Sequence, residues 1–211
     1  MGTAEATRDV FFRVFNVPNQ LTGLRLILAL VMFCLIPWGY QWSYLASLGL
    51  FLLAAGTDWL DGWYARKYGA VTVLGRILDP FADKVIICGT FIFLAAVPSM
   101  AELAWGLKPW MVVVIVGREL LVTTLRGLIE QSGGDFSAKW SGKLKMVFQC
   151  VAGAVSLLYL SFTDGAPGWL LWTMGLSLWA TVVITVYSGL VYVVAATKML
   201  SGPLGPKPGA E

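Results

Sequence analysis

Four aspartates lie close together in a chain of which 58% of the residues are hydrophobic. Asp58 and Asp61 are three positions apart, and Asp79 and Asp83 are four positions apart. On a helix, either spacing puts both side chains on one face, with about 5–6 Å between their Cβ atoms. Two such pairs facing each other would form an oxygen-rich pocket, which is the environment that hard divalent cations prefer. The sequence therefore predicts a metal site made of these four carboxylates.

Small residues and one arginine accompany the aspartates at fixed positions. The stretch from Asp58 to Asp83 reads D-x-x-D-G-x-x-A-R-x8-G-x3-D-x3-D, and its fixed positions besides the aspartates are Gly62, Ala65, Arg66 and Gly75. This pattern resembles that of the CDP-alcohol phosphatidyltransferase family, and every fixed position matches. Ionisable groups at membrane depth are costly, which favours a functional interpretation over packing alone.

The resemblance implies a reaction for this motif: transfer of the phosphatidyl group of CDP-diacylglycerol to an alcohol by direct displacement, with release of CMP. It implies that the four aspartates hold Mg²⁺ or Mn²⁺, in a two-ion centre of the kind that neutralises attacking and leaving oxygens. Asp83 matches the family position proposed as ligand and general base. Close helix packing is the alternative role of the glycines. The residues predicted to bind the donor CDP-diacylglycerol are Thr22, Gly62, Ala65, Arg66 and Gly75.

A second group of charged residues lies in the later apolar segments. The run from Gly117 to Gln149, and the Pro-Asn-x-Leu-Thr-x-x-Arg run that ends at Arg25, resemble the phosphatidylglycerophosphate synthases within the family. That resemblance implies sn-glycerol 3-phosphate as the acceptor. A phosphate dianion needs fixed cations, and arginine supplies bidentate geometry. The residues predicted to bind the acceptor phosphate are Arg25, Arg118, Arg126, Lys143 and Lys145.

Several alternatives stay open at this level. Arg25 could snorkel to the interface, Lys145 could be ordinary cytoplasmic-side charge, and Arg118 needs either Glu119 or a substrate phosphate as a partner. Inositol phosphate, serine and phosphatidylglycerol are alternative acceptors. An alternative from a different functional class is a non-enzymatic transporter of divalent cations that uses the same carboxylates. Such transporters typically contain broken helices and paired repeats, and this sequence shows no repeat.

Composition limits the chemistry and the class of protein. The chain has 211 residues, of which only 13% are charged, and a mean hydropathy of +0.75, as expected of an integral membrane protein. It contains no histidine, which excludes histidine-based triads and leaves carboxylate, Lys, Tyr or Cys as general acid or base. The net charge of +3 gives no reason to expect a nucleic-acid partner. The three cysteines have no metal-site spacing.

Apolar runs near the ~20 residues that a bilayer demands predict an all-α membrane protein with six transmembrane helices. Residues 1–15 predict an amphipathic helix at the interface, residues 1–200 a single membrane domain, and residues 201–211 a disordered tail. The family resemblance also implies that the protein forms a homodimer. The predicted spans are about residues 19–36, 43–66, 75–97, 109–131, 139–162 and 168–198. Pro80 is expected in the first turn of the third span, where a missing N–H costs little.

The distribution of basic residues predicts the orientation. With six spans, both termini and the 66–76 and 131–145 loops share one side, and nearly all lysines and arginines outside the spans lie there. The loops on the opposite side contain a single basic residue, Lys108. The positive-inside rule then places the aspartates at the cytoplasmic face, in a bacterial cytoplasmic membrane.

Overall fold

The computed structural model describes residues 17–68, 73–131, 140–162 and 165–200. Side chains are described for residues 19–57, 78–127, 129, 144–162 and 165–197. The predicted interfacial helix over 1–15 and the predicted tail over 201–211 lie outside these ranges. Within them the chain is helical, as the apolar runs predicted, and six helices have 19 residues or more.

The helices follow one another with short connections. A 3-10 turn at Ile36–Trp38 ends at Gly39, whose φ of 73° is a left-handed conformation that glycine adopts without a steric penalty. Prolines begin two of the helices, where the missing N–H costs little. In chain order the helices are α1 Val17–Leu35, α2 Gln41–Tyr68, α3 Val73–Ala95, α4 Pro98–Glu102, α5 Pro109–Gln131, α6 Trp140–Leu160 and α7 Gly168–Leu200.

One boundary differs from the sequence-based expectation. Pro80 was expected in the first turn of its helix, but α3 begins at Val73 and Pro80 lies inside it. A proline within a helix removes one backbone hydrogen bond and leaves a carbonyl of the preceding turn without its usual partner. The apolar run alone cannot locate a helix start to within a turn, because end residues are held by few bonds.

The long helices form a closed ring with two further contacts across it. Around the ring, α1 packs on α2, α2 on α6, α6 on α7, α7 on α5, α5 on α3, and α3 on α1. The further contacts join α3 to α6 and, less extensively, α3 to α2. Helix α3, which carries two of the motif aspartates, therefore contacts the helices that hold the predicted acceptor cations.

Glycines allow two of these contacts to be close. A Cβ atom on Gly89 of α3 would lie 2.1 Å from the ring of Phe33 on α1, and one on Gly153 of α6 would lie 3.0 Å from the ring of Phe51 on α2. Phe33 also stacks on Phe93, with 4.9 Å between ring centroids. The absence of a side chain at these glycines lets an aromatic ring fill the interhelical space, which sets the distance between the helices.

The outer surface of the bundle is apolar. Val113 and Leu176 are 70% and 66% exposed, and many other large apolar side chains are similarly exposed. In the described part of the chain, two helical segments, Asn19–Trp38 and Gly168–Thr197, are long and apolar enough by length and composition to cross a membrane. This surface suits lipid rather than water, because soluble monomers rarely expose extended apolar patches.

Candidate active site

Asp79 and Asp83 lie one turn apart on α3, and both are half-buried. The Thr22 hydroxyl of α1 donates a hydrogen bond to Oδ1 of Asp79. Thr22 is completely buried, so its hydroxyl is fixed where α1 packs on α3. Two carboxylates on one helical face, one of them oriented by a neighbouring hydroxyl, form part of a donor set that a hard divalent cation can use.

The other motif residues lie in the last turns of α2, which continues to Tyr68, and in the first turn of α3. Helices α2 and α3 contact each other. Among the described residues, no group of three or more His, Cys, Asp or Glu side chains comes together. The predicted site residues whose side chains fall outside the description are Asp58, Asp61, Gly62, Ala65, Arg66, Gly75 and Lys143.

Arg25 lies on α1 three residues after Thr22 and is 1% exposed. A snorkelling arginine extends its guanidinium to the membrane surface, so complete burial inside the bundle contradicts that alternative. Burying a guanidinium is costly unless charged or polar groups surround it. The structure therefore places Arg25 in the interior of the bundle, on the helix that orients Asp79.

Glu119 of α5 joins two of the predicted acceptor cations. Its Oε1 accepts a hydrogen bond from Arg118 Nη1 at 3.3 Å and another from the Lys145 ammonium on α6. Arg118 also donates through Nη2 to the Ser188 hydroxyl on α7, and its guanidinium lies 5.3 Å from the ring centroid of Tyr192. This cluster, defined here as the Glu119 cluster, connects three helices and fixes the orientation of Arg118 by two hydrogen bonds and a cation–π contact.

The Glu119 cluster carries an excess of positive charge. Glu119 contributes one negative charge, while Arg118 and Lys145 contribute one positive charge each. In addition, the Nε atoms of Arg118 and Arg126 are buried without a hydrogen-bond partner in the described part of the chain. Buried N–H donors are rarely left unpaired in the functional state of a protein. An anion bound beside Arg118 would supply the missing negative charge and an acceptor for its Nε.

The Glu119 cluster is electrostatically coupled to Asp83 of α3. Lys145 interacts electrostatically with Asp83 as well as with Glu119 and Arg118. The Cys88 thiol, on the same helix as Asp83, is within range of the charges of both Glu119 and Asp83. Lys145 and Asp83 therefore lie within electrostatic range of each other.

We expect Glu119→Gln to lower the free energy of unfolding by about 3–5 kcal/mol, because it leaves Arg118 and Lys145 as buried, uncompensated like charges. Unfolding of the purified protein in detergent, followed by circular dichroism, measures the change. The double variant Glu119→Gln, Lys145→Met removes one of the two cations and should recover much of the loss. A Glu119→Gln protein as stable as the wild type would contradict the ion-pair assignment.

Sequence reasoning identified Arg118 and Lys145 but not all of their partners. Glu119 was considered only as a partner of Arg118, and its bond to Lys145 joins residues 26 positions apart. Ser188 and Tyr192 carried no signal, because a serine and a tyrosine in an apolar helix are typical of membrane proteins. The helical register of α7 against α5 determines that they meet Arg118.

Comparison with known proteins agrees with these features. A family model described as CDP-alcohol phosphatidyltransferase matches residues 15–199. A Bacillus subtilis protein named CDP-diacylglycerol–glycerol-3-phosphate 3-phosphatidyltransferase is 33% identical over 200 residues, covering 85% of this chain and 94% of its own. A protein of the same name from Salmonella choleraesuis is 31% identical, covering 86% and 95%. A probable phosphatidylglycerophosphate synthase from Mycobacterium tuberculosis is 34% identical, covering 90% and 86%.

Proposed function

The chain belongs to the CDP-alcohol phosphatidyltransferase family, and from that premise we propose that it transfers the phosphatidyl group of CDP-diacylglycerol to sn-glycerol 3-phosphate. The products are phosphatidylglycerophosphate and CMP. The names of the relatives support this substrate pair. The observation in this chain that supports the acceptor most directly is the net positive Glu119 cluster within electrostatic range of Asp83. Neither serine nor phosphatidylglycerol would present a phosphate dianion to it.

Asp83 acts as the general base. It accepts the proton of the acceptor's primary hydroxyl, and the hydroxyl oxygen attacks the phosphorus attached to diacylglycerol in line with the leaving group. The bond from that phosphorus to the CMP oxygen breaks, and CMP leaves with the bonding electrons. Arg118, Arg126, Lys143 and Lys145, together with Arg25, hold the acceptor phosphate and so position the hydroxyl beside Asp83.

The donor set fits divalent cations, since all four proposed ligands are carboxylates: Asp58, Asp61, Asp79 and Asp83. We propose Mg²⁺ or Mn²⁺, two ions in number, which when bound would neutralise the donor diphosphate and the departing CMP. Thr22 contributes by holding Asp79 in one orientation. Gly62, Ala65 and Gly75 leave room for the nucleotide beside the backbone, and Arg66 contacts its diphosphate.

The six long helices are proposed to cross the bilayer as parts of one domain over residues 1–200, which begins with an interfacial helix over residues 1–15 and is followed by a disordered tail. The exposed apolar side chains on the bundle support this arrangement. The bias of lysine and arginine supports a cytoplasmic active site in a bacterial membrane. A homodimer is also proposed, from the family resemblance alone.

The test is an assay of the purified protein with labelled CDP-diacylglycerol and each acceptor in turn, with and without a chelator. We expect CMP and phosphatidylglycerophosphate with glycerol 3-phosphate, and no product after chelation. Product with inositol phosphate or serine but not with glycerol 3-phosphate would refute the assignment of glycerol 3-phosphate as the acceptor. Metal transport without CMP release would refute the proposed enzymatic activity.

Thr22→Val should lower activity at limiting Mg²⁺ by about 10- to 100-fold, the usual effect of losing a group that orients a metal ligand. The reason is that valine keeps the shape of threonine but cannot donate to Asp79. CMP release across a Mg²⁺ titration measures the effect, and Thr22→Ser, which keeps the hydroxyl, is the matched control. If Thr22→Val showed the metal dependence of the wild type, the Thr22–Asp79 bond would have no part in metal binding.

A further inference from the structure

Gln149 of α6 carries a buried side-chain amide that is unpaired within the described part of the chain. It is 1% exposed, and neither its Oε1 nor its Nε2 has a hydrogen-bond partner among the described residues. It is the only described side chain with two such atoms. An unpaired buried amide is unfavourable, and an apolar residue of the same shape would avoid that cost. With neither atom paired among the described residues, Gln149 can offer both a donor and an acceptor to a bound substrate.

The position of Gln149 identifies the region in which such a substrate would lie. It follows Lys145 by one turn, so the two side chains share a face of α6. Lys145 bonds Glu119 and interacts with Asp83, which places this face of α6 toward the proposed acceptor region. Four residues at 1.5 Å each put Gln149 about 6 Å further along α6, away from its amino-terminal end. One turn beyond, Gly153 lies against the Phe51 ring.

The two unpaired atoms of Gln149 call for a group that both donates and accepts. A hydroxyl does so with one oxygen, whereas a phosphate dianion only accepts and a hydrocarbon does neither. Glycerol 3-phosphate has a phosphate at one end, the reacting hydroxyl at the other, and a secondary hydroxyl between them. The proposed mechanism gives partners to both ends and none to the secondary hydroxyl.

We infer that Gln149 determines acceptor specificity by hydrogen bonding the secondary hydroxyl of the phosphorylated polyol, an assignment that rests on the proposed function. A site built to bond a hydroxyl discriminates against an acceptor that lacks it, because the buried amide then stays unpaired. The enzyme should therefore prefer glycerol 3-phosphate to 3-hydroxypropyl phosphate, which has the same charge and the same primary hydroxyl but no secondary one.

The test compares wild type and Gln149→Met with both acceptors, using full-length protein and saturating CDP-diacylglycerol. For Gln149→Met we expect kcat/KM with glycerol 3-phosphate to fall by about 10- to 100-fold, which is the loss expected of one buried hydrogen bond. The value with 3-hydroxypropyl phosphate should change by less than about 3-fold. The variant should unfold at the same temperature as the wild type or higher, since methionine removes an unpaired polar group without a large change in volume.

Ser156→Ala is the matched control. Ser156 is on the same helix and is completely buried, and its hydroxyl has no partner among the residues whose side chains are described, but it lies two turns beyond Gln149. It should leave the preference between the two acceptors unchanged. The assignment would be overturned if Gln149→Met lowered kcat/KM with both acceptors equally or left both values unchanged. It would also be overturned if the variant unfolded at a lower temperature than the wild type, which would indicate a structural amide. A wild-type protein that makes no product from glycerol 3-phosphate would overturn the proposed function, and this assignment with it.

Discussion

Asp83→Asn should reduce the turnover of CDP-diacylglycerol and glycerol 3-phosphate by about 10²- to 10⁴-fold, the range expected when a general base is removed. Asparagine keeps the volume of the side chain but cannot accept the proton of the acceptor hydroxyl. It also removes one of the proposed metal ligands, but the loss should remain when Mg²⁺ is raised to saturation, because the general base is still missing. CMP release measured across a Mg²⁺ titration separates the two effects, because a pure ligand defect would be rescued at high metal.

A suitable control for this variant is Glu102→Gln, which neutralises an exposed carboxylate on the short helix α4. It makes the same chemical change outside the proposed site and should keep wild-type turnover. Near wild-type turnover of Asp83→Asn at high Mg²⁺ would refute the base assignment. In that event the base would have to be another carboxylate, a lysine, a tyrosine or a cysteine, because the chain contains no histidine.

Arg118→Ala is expected to lower kcat/KM for glycerol 3-phosphate by about 10- to 100-fold, since a hydrogen bond to a charged group contributes about 1.5–3 kcal/mol. The KM for CDP-diacylglycerol should stay unchanged, because Arg118 belongs to the cluster that is proposed to hold the acceptor. Initial rates with each substrate varied in turn measure both constants. A loss of donor binding instead would move Arg118 to the nucleotide side of the site.

Stability gives this prediction an independent check. Without Arg118, Glu119 still pairs with Lys145, so no buried charge is left uncompensated. The free energy of unfolding of Arg118→Ala should therefore be closer to the wild-type value than that of Glu119→Gln, which leaves two buried cations. Arg118→Lys keeps the charge but loses the bidentate geometry, and we expect an intermediate KM for the acceptor. Equal effects of all three variants on stability and rate would indicate a purely structural cluster.

Local features of the sequence predicted the long helices and the placement of one carboxylate pair on a single helical face. Apolar runs near membrane length predicted the long helices because helix length and hydropathy are local properties. The four-residue interval between Asp79 and Asp83 placed both on one face of α3, since a helix repeats every 3.6 residues. The start of α3 was less certain, and Pro80 lies inside the helix rather than in its first turn.

The tertiary structure alone decided which side chains meet. The bond from Thr22 to Asp79 spans 57 positions and that from Arg118 to Ser188 spans 70, so each depends on how two helices are registered. The sequence left open whether Arg25 snorkels, and burial within the bundle decided against it. The unpaired amide of Gln149 is likewise visible only in three dimensions. A residue's type and spacing define what it can do, but its partners come from helices distant in sequence, whose packing no local pattern encodes.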